Sequence, residues 1–218
     1  QEIAILIPFL LLTLFFYSRN YAMLDPLTIS SILRTIAFPA LISMGMVQLM
    51  IAGEIDLSTA AVMSFCAVLS AKLIKDFNFE VPEAVIIALL CSLLIGCVNA
   101  FLTVKIGIFS VIATIGTGFV VRGLSYSFTN GVPIYPMPES FALLGSLRPL
   151  NISFTFFLML AVAFFVQLLL TSTKWGTAIY ATGSNRQAAE VSGINTFKVK
   201  LICFMATSFL SGCAGLLT

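Results

Sequence analysis

The chain has 218 residues, of which 60% are hydrophobic and only 9% are charged, and its mean hydropathy is +1.10. A soluble domain carries roughly 25% charged residues, so this composition excludes a globule that covers itself with polar surface in water. The formal net charge of +2, without a basic block, excludes nucleic acid as an expected partner, and the absence of histidine removes the commonest metal ligand and the usual general base.

Long apolar runs dominate the sequence. A bilayer core needs about 20 apolar residues per helix, with a range of roughly 17–25. Because unpaired backbone groups are too costly in hydrocarbon, such runs form helices rather than isolated strands. Charges and prolines divide them into seven candidate spans, at residues 3–17, 35–52, 59–74, 84–104, 108–128, 152–171 and 199–217. The sequence therefore predicts an all-α fold, a polytopic membrane helix bundle of about seven transmembrane helices in a single domain over residues 1–218.

The connections between the runs predict an orientation. Residues 130–151 contain four prolines, which is typical of an irregular surface loop. Residues 173–200 form the longest polar stretch and carry mostly positive charge, which marks the cytoplasmic side of a membrane protein. Alternation of the runs then places residues 106–107 on the cytoplasmic side, the proline-rich loop outside, and the start of the first run in the cytoplasm.

Small side chains recur at four-residue spacing in two of the runs. They are Ala88, Ser92, Gly96 and Ala100 in the fourth run, and Ser208 with Gly212 and Ser211 with Gly215 in the last. Each set forms a stripe on its helix, where a neighbouring helix can approach closely. The stripes predict helix packing rather than a functional site.

The loop at residues 52–58, Ala-Gly-Glu-Ile-Asp-Leu-Ser, carries two carboxylates, Glu54 and Asp56. Carboxylates so close to membrane-buried sequence are costly unless they are solvated, capped or paired. Asp56 or Ser58 could cap the third helix by accepting a hydrogen bond from a free backbone N–H. An enzyme could use the two carboxylates as an acid–base pair, but nothing else in the sequence supports that role. Capping alone and a functional site both remain open here.

Polar and small residues also interrupt the fifth run, where Thr114, Gly116 and Thr117 are followed by Arg122. They weaken the helix and expose backbone groups, which is tolerated at membrane depth where the backbone lines a cavity. Arg122 either extends to the membrane interface or faces a polar interior. In the fourth run, Asn99 needs hydrogen-bonding partners, so it faces another helix or such a cavity.

The polar stretch contains a short predicted helix at residues 185–192. Ser184 as N-cap, with Gln187 three residues later, makes a capping box, and Gly193 is a suitable C-terminal stop. The helix is too short to span a membrane and too polar to insert, so it should lie at the surface. Its Ala188-Ala189 pair forms a ridge that could fit a partner's groove, unless the segment is an ordinary interfacial helix.

At these residues the chain resembles a known family, the bacterial ABC-transporter permeases for ribose and related monosaccharides. Gly-Glu-Ile-Asp-Leu-Ser at 53–58 is similar to that family's Gly-Gly-Ile-Asp-Leu-Ser. Further similarities follow in the same order, at residues 96–100 (Gly-x-x-Asn-Gly in the family), 113–117 with 122–124 (Thr-Leu-Gly-Thr and Arg-Gly), and 175–194 (the cytoplasmic loop). Together they cover nearly the whole chain.

The resemblance implies a multi-subunit importer in the bacterial inner membrane. Two permease subunits, identical or closely related, form the pathway, a periplasmic binding protein delivers the sugar, and two cytoplasmic ATPase subunits supply the energy. The permease would bind no ATP and need no cofactor or metal. The residues expected to line the pathway are Asp56, Ser58, Asn99, Thr114, Gly116, Thr117 and Arg122. Those expected to form the coupling helix that contacts the ATPase are Gly183, Asn185, Ala188, Ala189, Ser192 and Gly193.

The chain departs from the family's pattern at three places. Glu54 replaces a glycine, Thr59-Ala60 replaces Val-Gly, and Ala100 replaces a glycine. The charge of Glu54 puts the local tightness of the loop, and the substrate, in question. Family members also carry about three more membrane helices after Gly215, so the chain is expected to be truncated at its C-terminus.

Other functions remain open from the sequence. The same class of transporter could carry autoinducer-2, a nucleoside or a branched-chain amino acid, although an amino acid would want charged or helix-end partners. A secondary transporter would show several buried ionisable residues and no ATPase partner. A membrane enzyme would need a nucleophile–base pair or a metal cluster, and no His or Cys/Asp cluster supplies one.

Overall fold

A computed structural model describes residues 2–147 and 149–218, and in that part of the chain the regular structure is helical, without a strand. The helices are α1 (Glu2–Arg19), α2 (Pro26–Ile51), α3 (Thr59–Phe77), α4 (Val81–Ala100), α5 (Ser110–Thr129), α6 (Glu139–Ser146), α7 (Phe154–Ser172), α8 (Lys174–Ser184), α9 (Arg186–Val191) and α10 (Thr196–Leu216). A π-helical turn, Phe101–Lys105, continues α4, and 3₁₀ turns occupy Tyr21–Leu24 and Pro149–Asn151.

Five of the described helices are long and apolar enough to cross a membrane, namely Pro26–Ile51, Val81–Lys105, Ser110–Thr129, Phe154–Ser172 and Thr196–Leu216. The predicted polytopic helix bundle is confirmed, and the chain is a multi-pass membrane protein. The other two predicted runs form α1 and α3, which are not both long enough and apolar enough to count among these spans. The apolar stretch of α1, Leu6–Arg19, is short, and any 18 consecutive residues of α3 include Lys72, Lys75 and Asp76.

Contacts between helix termini define two ends of the bundle. At the α9 end, the Lys105 ammonium lies 4.9 Å from the centre of the Phe197 ring. At the opposite end, the Arg34 guanidinium donates to the carbonyl oxygen of Thr218 at 3.0 Å. Helix α10 therefore runs antiparallel to α2 and α4 between these ends. Helix α3 runs between the two ends together with the spans.

Helix α10 lies at the centre of the bundle, where it packs against α2, α3 and α4. A Cβ atom added to Gly96 of α4 would lie 2.8 Å from the Cα of Met205, and one added to Gly212 would lie 2.9 Å from the hydroxyl of Ser92. A larger residue at either glycine would push the helices apart. Close approach of this kind provides the van der Waals contact that holds membrane helices together. The predicted role of the small-residue stripes in helix packing is confirmed.

Between α7 and α10 the chain forms two helices rather than the single predicted one. Helix α8 follows α7 directly and continues through Ser184. The N-cap of α9 is Asn185, whose Oδ1 accepts a hydrogen bond from the Ala188 N–H at 3.0 Å. The predicted capping box of Ser184 and Gln187 is therefore wrong, because Ser184 is still part of a helix. Gly193, at a φ of +84°, ends α9 as predicted.

Candidate functional site

A tight turn at the end of α2 directs the following loop back into the bundle. Gly53 adopts a φ of +85°, in the left-handed region where a side chain causes strain. Its N–H donates to the Met50 carbonyl at 3.0 Å, and the Glu54 N–H donates to the Leu49 carbonyl at 3.0 Å. These bonds satisfy the last carbonyls of the helix. The turn thereby fixes the position of residues 54–58, where two of the predicted site residues lie.

Three predicted site residues, Asp56, Ser58 and Asn99, form one buried hydrogen-bond network. Asp56 Oδ1 accepts from the Ser58 N–H at 2.8 Å and from the Ser58 hydroxyl at 2.6 Å. The Asn99 side-chain amide donates to Ser58 Oγ at 2.9 Å and to Asp56 Oδ2 at 3.3 Å. All three residues are 0% exposed. The bonds compensate for burying a carboxylate, which would be very costly without them.

The network leaves two features that bear on its chemistry. Burial raises the pKa of the Asp56 carboxyl, while the hydrogen bonds from Ser58 and Asn99 act in the opposite direction. Among the described residues, Asn99 Oδ1 has no hydrogen-bond partner. Ser58 of the loop and Asn99 of α4 therefore donate hydrogen bonds to the Asp56 carboxylate. Asn99 Oδ1, beside it, is an acceptor without a partner in the described part of the chain.

Helix α5 holds the other side of the same loop. The Leu57 N–H donates to Thr114 Oγ1 at 3.0 Å, and the Thr114 hydroxyl donates to the Ser110 carbonyl at 2.8 Å. The Ile55 N–H donates to Ser110 Oγ at 3.3 Å. Ser110 was not predicted as a site residue, although it lies four residues before Thr114 on the same helical face. Thr114 thus joins the predicted network through backbone groups rather than through Asp56.

Two local expectations differ from the structure. Ser58 occupies the N-cap position of α3, but its hydroxyl donates to Asp56 instead of accepting a bond from the helix. Asp56 in turn accepts from the N–H of the N-cap residue itself, so neither side chain caps α3 in the predicted way. Helix α5 is continuous through Gly116 and Thr117, whose hydroxyl donates to the Ala113 carbonyl at 3.0 Å. The predicted weakening of this helix does not interrupt it.

The remaining predicted pathway residues, Gly116, Thr117 and Arg122, lie on α5 outside the buried network. Gly116 and Arg122 are exposed, and Thr117 is half-buried. A Cβ atom added to Gly116 would meet no other atom within 4 Å. Of these three residues, Arg122 lines a groove of about 140 Å³, together with Leu57, Ala61, Ile115, Gly118 and Phe119. The loop at residues 54–58 thus contributes Asp56 and Ser58 to the buried network and Leu57 to the wall of an open groove that also contains Arg122.

Glu54, the departure in the loop, pairs with Lys200 of α10. The Lys200 ammonium lies 2.5 Å from Glu54 Oε1, and the two side chains are only 11% and 13% exposed. The sequence alone suggested that Lys200 is one of several loop cations and left Glu54 without a partner. The residues are 146 positions apart, and nothing in the local pattern links them.

Helix α9 presents a different surface from the predicted one. Ala188 is exposed, but Ala189 is only 3% exposed and packs inward, so the two do not form a common ridge. Val191, which was not singled out, is 90% exposed. Hydrogen bonds from Thr196, and then from Arg186, hold the pKa of the Glu190 carboxyl below its ordinary value.

Glycine at position 183 has a structural role. A Cβ atom added to Gly183 would lie 1.7 Å from the Ile51 carbonyl oxygen, so α8 packs directly on the end of α2. Of the other residues predicted for the coupling helix, Asn185, Ser192 and Gly193 are exposed.

Comparison with known proteins decides the family. Residues 28–218 match the family described as "Branched-chain amino acid transport system / permease component". The chain belongs to this permease family. The resemblance noted from the motifs is thereby confirmed.

Three relatives show the range of this permease family. The chain is 29% identical over 218 residues to the autoinducer 2 import system permease protein LsrC of Escherichia coli O157:H7, covering 99% of this chain and 63% of the relative. It is 31% identical over 195 residues to the ribose import permease protein RbsC of Haemophilus influenzae, covering 87% and 59%. It is 30% identical over 217 residues to the xylose/arabinose import permease protein XylH of Sulfolobus acidocaldarius, covering 95% and 59%.

The permease chain thus spans about three fifths of the length of these relatives. Comparison with solved structures found no significant match.

Proposed function

We propose that this chain is the permease subunit of an ATP-driven ABC importer that moves a monosaccharide across the bacterial inner membrane. A periplasmic binding protein delivers the sugar, and ATP is hydrolysed on separate cytoplasmic ATPase subunits. The observation that carries the proposal is α9, a six-residue helix outside the spans with Ala188 and Val191 exposed. A short helix that presents small and apolar side chains suits a groove in a partner protein.

In this proposal the ATPase contacts α9 through Ala188, Val191 and Ser192. Asn185 and Gly193 shape the two ends of the helix, since Asn185 caps its first turn and Gly193 stops it. Gly183 and Ala189 contribute from the inner side, where they pack against the bundle. The basic polar stretch that contains α9 lies in the cytoplasm, as the positive-inside rule favours.

The pathway follows the open side of α5. Gly116, Thr117 and Arg122 line it, and the groove beside Arg122 gives a sugar both apolar surface and a hydrogen-bond donor. Asp56, Ser58, Asn99 and Thr114 form the wall behind it and hold the loop in place. A second permease subunit, identical or closely related, completes the pathway across from this face.

The cargo is proposed as a neutral monosaccharide because two of the relatives are named for ribose and for xylose/arabinose import. Autoinducer 2 is the second candidate, since the relative from Escherichia coli O157:H7 is named for its import and aligns with 99% of this chain. The two cargoes would require different binding proteins, and in this proposal the binding protein is a separate chain.

The test is transport in proteoliposomes. The full permease is purified with the ATPase and binding protein that accompany it, and uptake of labelled ribose, xylose, arabinose and autoinducer 2 is measured with and without ATP inside. The expected result is ATP-dependent uptake of one pentose that requires the binding protein. Uptake driven by an ion gradient, with no need for ATP, would show a secondary transporter instead.

A further inference from the structure

The first two turns of α10 make polar contacts with α9 and with the loop at residues 54–58. The hydroxyl of Thr196, the first residue of α10, donates to Glu190 Oε1 of α9 at 2.6 Å. Lys200 follows Thr196 by four residues, so it lies one turn later on the same buried face of α10. The Lys200 ammonium forms an ion pair with Glu54. Asp56, which belongs to the buried network, lies two residues after Glu54 in the same loop. Two side-chain contacts thus join the first turns of α10 to α9 on one side and to the loop at residues 54–58 on the other.

A gain in folding stability does not by itself explain why Glu54 and Lys200 form a buried ion pair. Both side chains are almost nine-tenths buried, so each charge has lost most of its hydration. The cost of removing two charges from water can exceed their attraction, and a well-packed apolar pair of the same volume is often as stable or more stable. What the ion pair adds is a fixed relative position of the two elements that carry it.

Those two elements are the first turns of α10 and the end of α2. Glu54 is held at the end of α2 by its own N–H, which donates to the Leu49 carbonyl. Lys200 lies in the helix that begins directly after α9 and the turn at Gly193. Lys200 therefore lies between α9 and the loop at residues 54–58, and it contacts that loop through Glu54.

We propose that Glu54 and Lys200 are positioning residues for transport, whose ion pair carries movement of α9 to the loop that holds Asp56. The inference rests on the proposed function, because α9 moves only if an ATPase acts on it. In this role the pair couples ATP hydrolysis to opening of the pathway, and Glu54 acts through the loop rather than by touching the sugar.

The experiment uses the intact transporter in proteoliposomes and compares four variants of the permease. These are Glu54→Gln, Lys200→Met, the neutral pair E54Q/K200M and the charge swap E54K/K200E, with Lys198→Met as the matched control. Lys198 is an exposed lysine two residues before Lys200 on the same helix. Three quantities are measured for each: the amount of assembled complex, the rate of ATP hydrolysis, and the sugar imported per ATP hydrolysed.

The neutral pair is expected to assemble and hydrolyse ATP, while sugar imported per ATP falls about tenfold or more. The charge swap is expected to recover import per ATP to within about threefold of the wild type, and Lys198→Met to leave it unchanged. The neutral pair leaves no unpaired buried charge, so it remains informative if the single variants fail to fold.

Three results would overturn the inference: wild-type import per ATP in the neutral pair, failure of the neutral pair to assemble, or a charge swap that assembles but stays as uncoupled as the neutral pair. Absence of ATP-dependent sugar uptake by the wild-type transporter would overturn the proposed function itself. Failure of the inference about Glu54 and Lys200 and failure of the proposed function therefore give different results.

Discussion

The side-chain nitrogen of Asn99 lies 2.9 Å from the hydroxyl oxygen of Ser58, although 41 positions separate the two residues. The bond joins α4 to the loop that follows α2, and the Ser58 hydroxyl extends the connection to Asp56 at 2.6 Å. Because all three residues are fully buried, solvent does not compete for these bonds. The network therefore holds the loop firmly against the bundle.

Coupling within this network is the first prediction. Replacing either Asp56 or Asn99 by alanine should cost about 1–3 kcal/mol, because each change leaves buried partners unsatisfied. The double variant should cost less than the sum by about 0.5–3 kcal/mol, since the second change removes a partner already lost. Denaturant unfolding of the purified permease in detergent measures the loss of stability in the two single variants and in the double variant. Asn99→Ala combined with Ser18→Ala on exposed α1 is the control and should be additive, whereas additivity of the Asp56 and Asn99 changes would show that they do not interact.

The sequence predicted the members of this network better than their arrangement. Asp56, Ser58 and Asn99 stand out because a polar side chain in or beside an apolar run needs a partner, and that requirement is local. Which partners they find depends on how α4 and the loop pack, which no local pattern records. The Glu54–Lys200 pair shows the limit most clearly, since a charge and its partner lie 146 positions apart.

Helix α9 shows a second limit of prediction from the sequence. The capping residues predicted a short helix with Gly193 as its stop, because glycine favours the left-handed conformation that ends helices. They did not predict that Ala188 is exposed while Ala189 is buried, because two adjacent alanines are equivalent in sequence until the fold covers one of them. The N-cap of α9 is Asn185 rather than Ser184 because α8, which was not predicted, continues through Ser184.

Thr114 and Thr117 of α5 give a second, matched prediction. Thr114→Val should destabilise the permease by about 1–3 kcal/mol, because the Leu57 N–H loses its acceptor. Thr117→Val should change stability by no more than about 0.5 kcal/mol, because the Thr117 hydroxyl donates to the Ala113 carbonyl of its own helix. Unfolding of both variants under the same conditions measures the difference. Equal losses would mean that Thr114 does not hold the loop.

Two glycines in helices should respond in opposite ways to alanine. Gly183→Ala would place a Cβ 1.7 Å from the Ile51 carbonyl oxygen, so α8 must move away from α2, at a cost of about 1–3 kcal/mol or more. Gly116→Ala meets open space and should gain up to about 1 kcal/mol from higher helix propensity. Thermal unfolding of the solubilised variants tests the stability of each. A stable Gly183→Ala variant would show that α8 does not pack on the end of α2.

Substitutions on α9 should separate docking from folding. Ala188→Asp places a charge on an exposed surface, so the permease should fold and insert normally, but the charge should disrupt a partner's apolar groove and abolish ATPase binding. Ala189→Asp buries a charge against the bundle and should destabilise the protein by about 2 kcal/mol or more. Copurification of the ATPase, measured beside the yield of folded permease, distinguishes the two. An Ala188→Asp permease that retains the ATPase at wild-type yield would exclude this face of α9 as the docking surface.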